Sequence, residues 1–256
     1  MHHFDFSDRV VAVTGGSSGI GRETAVQFAE HGASVVVADV DDEKGQETVS
    51  LIEEADGDAV YVHTDVSDMD QVREMVRTAV EEYGRLDYAV NNAGIGGQQM
   101  AAGEHTEESW QQVIDVNLNG VWRSMKAELE EMVGQDDGGV IINMASILGQ
   151  VGFEGASAYV SAKHGVLGLT KTAAWEYAGE GIRVNAVCPG FIETQMLAEG
   201  GITEDEELRA QIEAMHSQDR LGDPEEIADA VMWLCSDGAS FTNGEALTVD
   251  DGYTAR

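Results

Sequence analysis

Residues 9–39 constrain this chain more than any other stretch. Arg9-Val10-Val11-Ala12-Val13-Thr14 is a short valine-rich run, read as a buried strand. Gly15-Gly16-Ser17-Ser18-Gly19-Ile20-Gly21 follows at once. Arg22 to His31 reads as a helix, with Ala25, Val26, Phe28 and Ala29 apolar against Arg22, Glu23, Gln27 and Glu30. Gly32 stops it, and a second strand, Ser34 to Ala38, ends at Asp39. Strand, glycine turn, helix, strand and acid in that order predict a dinucleotide-binding unit.

Gly15 permits a sharp exit from the strand. Gly19 and Gly21 are expected to remove side chains where backbone and helix approach a pyrophosphate, which the helix N-terminus attracts with unpaired N–H groups and its positive dipole end. Asp39 is placed to accept hydrogen bonds from both adenosine ribose hydroxyls, and its charge would repel a 2′-phosphate. Val40, Asp41 and Asp42 follow, and the nearest downstream base is Lys44, so NAD(H) is expected over NADP(H). The plainer reading of Asp39 is an N-cap for the next helix, a task Asp41 could take equally well.

Tyr159 and Lys163 sit four apart in Ser157-Ala158-Tyr159-Val160-Ser161-Ala162-Lys163. In a helix the two stack one turn apart on one face. An ammonium beside a phenol favours the phenolate and suits the group to proton exchange with a substrate oxygen. Tyr-x-x-x-Lys is common by chance, and the rest of the chain gives it meaning. Thr14-Gly15-x-x-x-Gly19-Ile20-Gly21, Asn91-Asn92-Ala93-Gly94, Asn117, Ser146, Tyr159-x-x-x-Lys163 and Pro189-Gly190 together resemble the short-chain dehydrogenase/reductase family, in its compact branch. The resemblance runs from residue 7 to the C-terminus.

That resemblance implies Tyr159 as general acid/base, and Lys163 lowering its pKa and bonding the nicotinamide ribose. It implies Ser146 stabilising the developing oxyanion, and Asn117 holding a relay water. Bringing a phenol from about 10 to about 7 takes roughly 4 kcal/mol of differential stabilisation. The implied cofactor set is Gly15, Ser17, Ser18, Gly19, Ile20 and Gly21 in the turn; Asp39 and Val40; Asp65 and Val66; Asn92, Ala93 and Gly94; Tyr159 and Lys163; and Pro189, Gly190, Ile192 and Thr194. No metal is expected. Taken alone, Ser146 could be a serine tying a strand-end turn, and Asn117 a satisfied mid-helix amide. Ala145 stands where the family often has serine, and Asp251 where glycine is common.

Strands are predicted near 9–14, 34–39, 59–64, 86–91, 139–144, 182–188 and 246–249, with helices near 20–31, 42–54, 68–83, 106–133, 157–179 and 224–235. The alternation predicts an α/β fold: a single-domain, Rossmann-like, doubly wound parallel sheet of about seven strands with helices on both faces, spanning 1–256. The irregular segment near 191–216, with Gly200-Gly201 and Glu204-Asp205-Glu206-Glu207, reads as a substrate lid, or else as a solvated helix pair. Ile147, Leu148, Gly149, Gln150 and Val151, with Gly96, Gly97 and Gln98 at one edge, are expected to line the substrate pocket.

Asp plus Glu number 48 against 14 Lys plus Arg, a formal charge of −34, and the acids are scattered rather than gathered in a tail. This predicts a halophile's protein in a high-salt cytoplasm and disfavours nucleic acid and anionic membranes as partners. Cys188 and Cys235 read as buried thiols, and His2-His3 carries no metal pattern. No leader and no apolar run approaching a membrane span is read. The resemblance implies a homotetramer or homodimer joined through the helices near 106–133 and 157–179, where Val121, Trp122, Met125, Leu129, Val166, Leu169, Ala173 and Trp175 are candidate contacts. The leading function is NAD-dependent interconversion of a secondary alcohol (a sugar or cyclic alcohol) with a ketone or lactone. A 3-oxoacyl-thioester reductase is the runner-up. A dinucleotide-binding redox sensor without turnover is the alternative of another class.

Overall fold

The computed structural model describes residues 4–199 and 205–255. His2, His3, Gly200, Gly201, Glu204 and Arg256 therefore lie outside the described residues. The strands are β1 Val10–Thr14, β2 Ser34–Asp39, β3 Asp58–His63, β4 Tyr88–Asn91, β5 Gly139–Met144, β6 Ile182–Pro189 and β7 Ala246–Val249. All pair in parallel, in the order β3-β2-β1-β4-β5-β6-β7. The helices are α1 Gly19–Glu30, α2 Asp42–Glu54, α3 Met69–Tyr83, α4 Glu107–Ile114, α5 Val121–Met132, α6 Ser157–Tyr177, α7 Gln195–Glu199, α8 Glu206–Glu213 and α9 Pro224–Cys235.

The valine runs explain the sheet. Side chains alternate across a strand, so Val10 and Ala12 enter one core while Val11 and Val13 enter the other. Both faces are covered, which requires apolar residues at every position of a central strand. All five residues of β1 are buried. The chain order reverses at β1, with β2 on one side and β4 on the other, and β1 pairs Thr14 with Asn91. That switch point opens a crevice at the strand C-termini, where open parallel sheets bind ligands.

One predicted element differs. The single helix expected over 106–133 is two helices joined by a π-helical turn, Asp115–Gly120. Such turns recur at functional sites, and this one contains Asn117. The face offered for oligomer contacts also needs correction. Val121, Met125, Leu129, Val166 and Ala173 are buried within the chain, and Leu169 packs partly against the same core. Only Trp122 and Trp175 of that set project outward, Trp175 being 89% exposed.

Asp251 takes the left-handed conformation, φ +46, that favours glycine. Its carboxylate compensates by accepting from Ser217 Oγ at 2.6 Å, Gln218 N at 2.7 Å and Gln218 Nε2 at 2.9 Å. This latch fastens the segment after α8 to the end of β7. Cys188 and Cys235 are free and buried. Among the described residues no helix is long and apolar enough to cross a membrane.

Candidate active site

A cleft of about 880 Å³ runs along the C-terminal ends of β1 to β6. At one end lies the glycine turn. Gly15 and Gly19 have φ of +65 and +52, and a Cβ on Gly19 would come 3.2 Å from Thr194 Cγ2, so the turn and the loop after β6 nearly touch. Asp41, Asp68 and Thr106 cap α2, α3 and α4 with side-chain oxygens, whereas Ser18 makes no such bond at the start of α1. The first N–H groups of α1 are thus left for an anion in the cleft.

Asp39 closes β2 and is held toward that turn, Oδ2 accepting from Ser17 N at 3.0 Å and Oδ1 from Asp41 N at 3.0 Å. The capping task falls to Asp41, which accepts from Lys44 N at 3.1 Å. The nearby bases are engaged: Arg22 bonds Thr48, the Lys44 carbonyl and Glu47, and Lys44 pairs with Asp41 and donates to Gln195. Asp65 and Val66 line the cleft, Asp65 accepting from Ser67 N. Asn92 is pinned by Nδ2 bonds to the carbonyls of Thr14 and Gly15, and Thr14 Oγ1 accepts from both Asn92 N and Ala93 N.

Ser146, Tyr159 and Lys163 meet at the other end of the cleft. A Cβ on Gly149 would fall 2.9 Å from the Lys163 carbonyl, so this glycine lets the turn after β5 sit directly on α6 and sets Ser146 against Tyr159. Ser146 Oγ accepts from Leu148 N at 3.1 Å and lies close enough to the phenol to favour its ionised form. It therefore ties the turn and faces the reactive position together. Lys163 Nζ donates to the Met144 carbonyl at 2.8 Å and stands 5.5 Å from the Tyr159 ring centre.

The titration of this pair departs from the sequence expectation. Tyr159 is half-buried at the cleft wall, yet desolvation by the surrounding protein pushes its phenol up to about 12, against a downward pull from the Ser146 hydroxyl. Burial lowers Lys163 to about 8. The protein atoms alone do not bring the phenol toward neutrality, because loss of solvent outweighs the stabilisation they offer the phenolate.

Asn117 is fully buried in the π turn. Its amide is committed to the adjoining loop: Oδ1 accepts from Ile95 N at 2.8 Å and Nδ2 donates to Ile95 O at 2.7 Å.

The family model described as enoyl-(acyl carrier protein) reductase matches residues 15–254. Cyclohexanol dehydrogenase of Acinetobacter sp. (strain SE19) is 43% identical over 251 residues, covering 98% of this chain and 97% of the relative. Cis-4-hydroxycyclohexanecarboxylate dehydrogenase of Sinomonas cyclohexanicum is 43% identical over 250 residues, covering 98% of each. A solved structure of a putative 2-deoxy-D-gluconate 3-dehydrogenase from Agrobacterium tumefaciens with bound NADP is 33% identical, covers all of both chains and has a TM-score of 0.91. The chain belongs to the short-chain dehydrogenase/reductase family. It is an oxidoreductase acting on CH–OH groups with a nicotinamide dinucleotide. The glycine turn, the uncapped start of α1 and Asp39 fit that cofactor along one crevice.

Most residues expected around the dinucleotide line the cleft: Gly15, Ser17, Ser18, Gly19, Ile20, Asp39, Val40, Asp65, Val66, Asn92, Ala93, Gly94, Tyr159, Lys163, Pro189, Gly190, Ile192 and Thr194, with Ser146. Gly21 and Asn117 do not. A Cβ on Gly21 would meet the Gly15 carbonyl at 2.0 Å and Asn92 Nδ2 at 2.5 Å. Its absent side chain thus lets α1 pack closely on the turn. On the substrate side Ile147, Leu148, Gly96 and Gly97 face the cleft, while Gly149, Gln150, Val151 and Gln98 are not among its walls. Gln150 turns away to donate to Thr248 Oγ1. Sequence reasoning missed Gln99, Gln112, Val116 and Phe153. The i, i+4 spacing of Gln112 and Val116 ahead of Asn117 was the available signal; Phe153 had none.

Proposed function

We propose that this chain is an NAD(H)-preferring dehydrogenase of neutral cyclic secondary alcohols, working by proton exchange at Tyr159. The meeting of Ser146, Tyr159 and Lys163 at one end of a cleft whose other end holds Asp39 carries this reading. When bound, the nicotinamide accepts or supplies the hydride. Tyr159 takes the carbinol proton in oxidation and returns it in reduction. Ser146 donates to the reacting oxygen as its charge develops. Lys163, anchored by the Met144 carbonyl, retains two further donors for ribose hydroxyls and stabilises the phenolate. Asn117 clamps the loop at Ile95 through both polar atoms of its amide.

The cyclic-alcohol reading draws on the relatives named for cyclohexanol and for cis-4-hydroxycyclohexanecarboxylate, which share a ring carbinol. The substrate wall is mostly apolar, with Leu148, Phe153, Phe191, Met196 and Leu197. Lys163 is the only cationic side chain among the described residues lining the cleft, which disfavours an anionic substrate such as a ring carboxylate. Asp39 without a disengaged base beside it favours NAD(H), in contrast to the NADP of the solved neighbour. Residues 191–216 serve as the lid. The protein works as a homotetramer or homodimer in a high-salt cytoplasm, for which exposed Trp122 and Trp175 and the charge of −34 speak.

A screen of ring alcohols, sugars and 3-oxoacyl thioesters in concentrated KCl, with NAD(H) and NADP(H), tests this by nicotinamide absorbance. Neutral ring alcohols with NAD should give the highest kcat/KM. Turnover of thioesters alone supports the acyl reductase instead, and cofactor binding without any hydride transfer supports a sensor.

A further inference from the structure

The substrate end of the cleft carries polar groups that the hydride chemistry leaves unused. Gln99 and Gln112 both line it, each exposed to solvent, and neither side-chain amide has a protein partner among the described residues. Gln112 lies one helical turn before Val116, which also faces the cleft. The backbone at Gln99 is held near the start of α6. Met100 N donates to Gly155 O at 2.9 Å, and a Cβ on Gly155 would lie 3.7 Å from Gln99 Cβ. Tyr159 follows four residues later. Gly97, at φ +75, presses the same loop onto α4, where a Cβ would come 2.4 Å from Val113 Cγ2. The loop of Gln99 and the helix of Gln112 therefore form one wall, and that wall is amide-bearing while Leu148, Phe153 and Phe191 supply apolar surface elsewhere in the cleft.

A carboxamide offers one acceptor and two donors without charge. It matches a hydroxyl or carbonyl oxygen. A plain hydrocarbon ring seated here would strip water from the amides and return no hydrogen bond. Building on the cyclic-alcohol reading, we infer that the preferred substrate carries a second uncharged oxygen, remote from the reacting carbinol, and that Gln99 and Gln112 select it.

The test compares kcat/KM for cyclohexanol and 1,4-cyclohexanediol, with NAD in concentrated KCl, for the wild type, Gln99→Leu, Gln112→Leu and the double variant. The wild type should favour the diol by about tenfold beyond the statistical factor of about two from its equivalent carbinols. The double variant should bring the corrected ratio to about one. Damaged folding lowers both alcohols together and leaves the ratio intact, so the ratio reports recognition. A diol preference that survives in the double variant, or a wild-type corrected ratio near one with good cyclohexanol turnover, overturns this inference alone. If the wild type turns over neither alcohol, the cyclic-alcohol reading falls and this inference with it.

Discussion

A desolvated phenol and a buried amine both resist charge, and here they share one end of a cleft. Tyr159 is pushed up to about 12 and Lys163 down to about 8, each chiefly by burial. The gap to a working base near neutrality exceeds the roughly 4 kcal/mol that a solvated phenol would need. A charged Lys163, the Ser146 hydroxyl and the oxidised nicotinamide must close it together, which ties proton transfer to cofactor occupancy. Tyr159→Phe should therefore lower kcat by about a thousandfold, while NAD affinity from calorimetry stays within about twofold; turnover within tenfold of wild type would remove Tyr159 from the proposed role. Asp39 poses the matching question at the other end. Asp39→Asn keeps an oxygen for Ser17 or Asp41 and removes the charge. The ratio of NAD to NADP kcat/KM should fall by about tenfold or more. An unchanged ratio would show that repulsion of the 2′-phosphate does not set cofactor choice.

Among the elements, legibility followed how directly residue type dictates backbone. The strands of the doubly covered sheet are apolar on both faces, and the sharp exit from β1 needs Gly15 at φ +65, so both were readable. The π turn at Asp115–Gly120 was not, because an i→i+5 bond has no residue signature and the apolar spacing on either side suits an unbroken helix. Glu128 was equally invisible: in a chain with 48 acids it reads as one more surface carboxylate. It is 1% exposed in α5 and accepts from Asn91 Nδ2 at 3.0 Å, behind the end of β4. Desolvation raises it from 4.5 to about 8. The folded state thus keeps this proton between about pH 4.5 and 8, where the unfolded chain has released it. Its contribution is complete below that window and lost as pH rises through it, with a slope of at most about 1.4 kcal/mol per pH unit. Glu128→Gln should flatten that fall, so its Tm advantage over wild type should widen from pH 5.5 to pH 8. Parallel curves would mean that Glu128 does not govern the window.

At the scale of the whole molecule the question is what a charge of −34 costs. The few bases are largely committed to local pairs, among them Arg9–Asp87, Arg22–Glu47, Arg77–Glu74, Arg123–Asp115 and Arg220–Glu226. The solvent-exposed ones among them, such as Arg77–Glu74, add little stability individually. The surplus carboxylates repel across the surface, and that repulsion opposes both folding and the close approach of a second copy in the proposed oligomer. Salt shortens its reach from a Debye length of about 10 Å at 0.1 M to about 3 Å at 1 M. Screening therefore acts most steeply at low concentration, whereas salting-out of apolar surface grows steadily at high concentration. Two curves separate these effects. Raising KCl from 0.1 to 1 M should lift Tm by about 5–15 °C, equivalent to a few kcal/mol for a chain of this size. An equal osmolarity of sucrose should reproduce only a minor part of that rise. Sedimentation over the same range should show larger assemblies appearing as Tm climbs, because one screened repulsion limits both. A Tm that is flat across this range would mean that the acidic surface does not oppose folding, and the high-salt reading would fall with it.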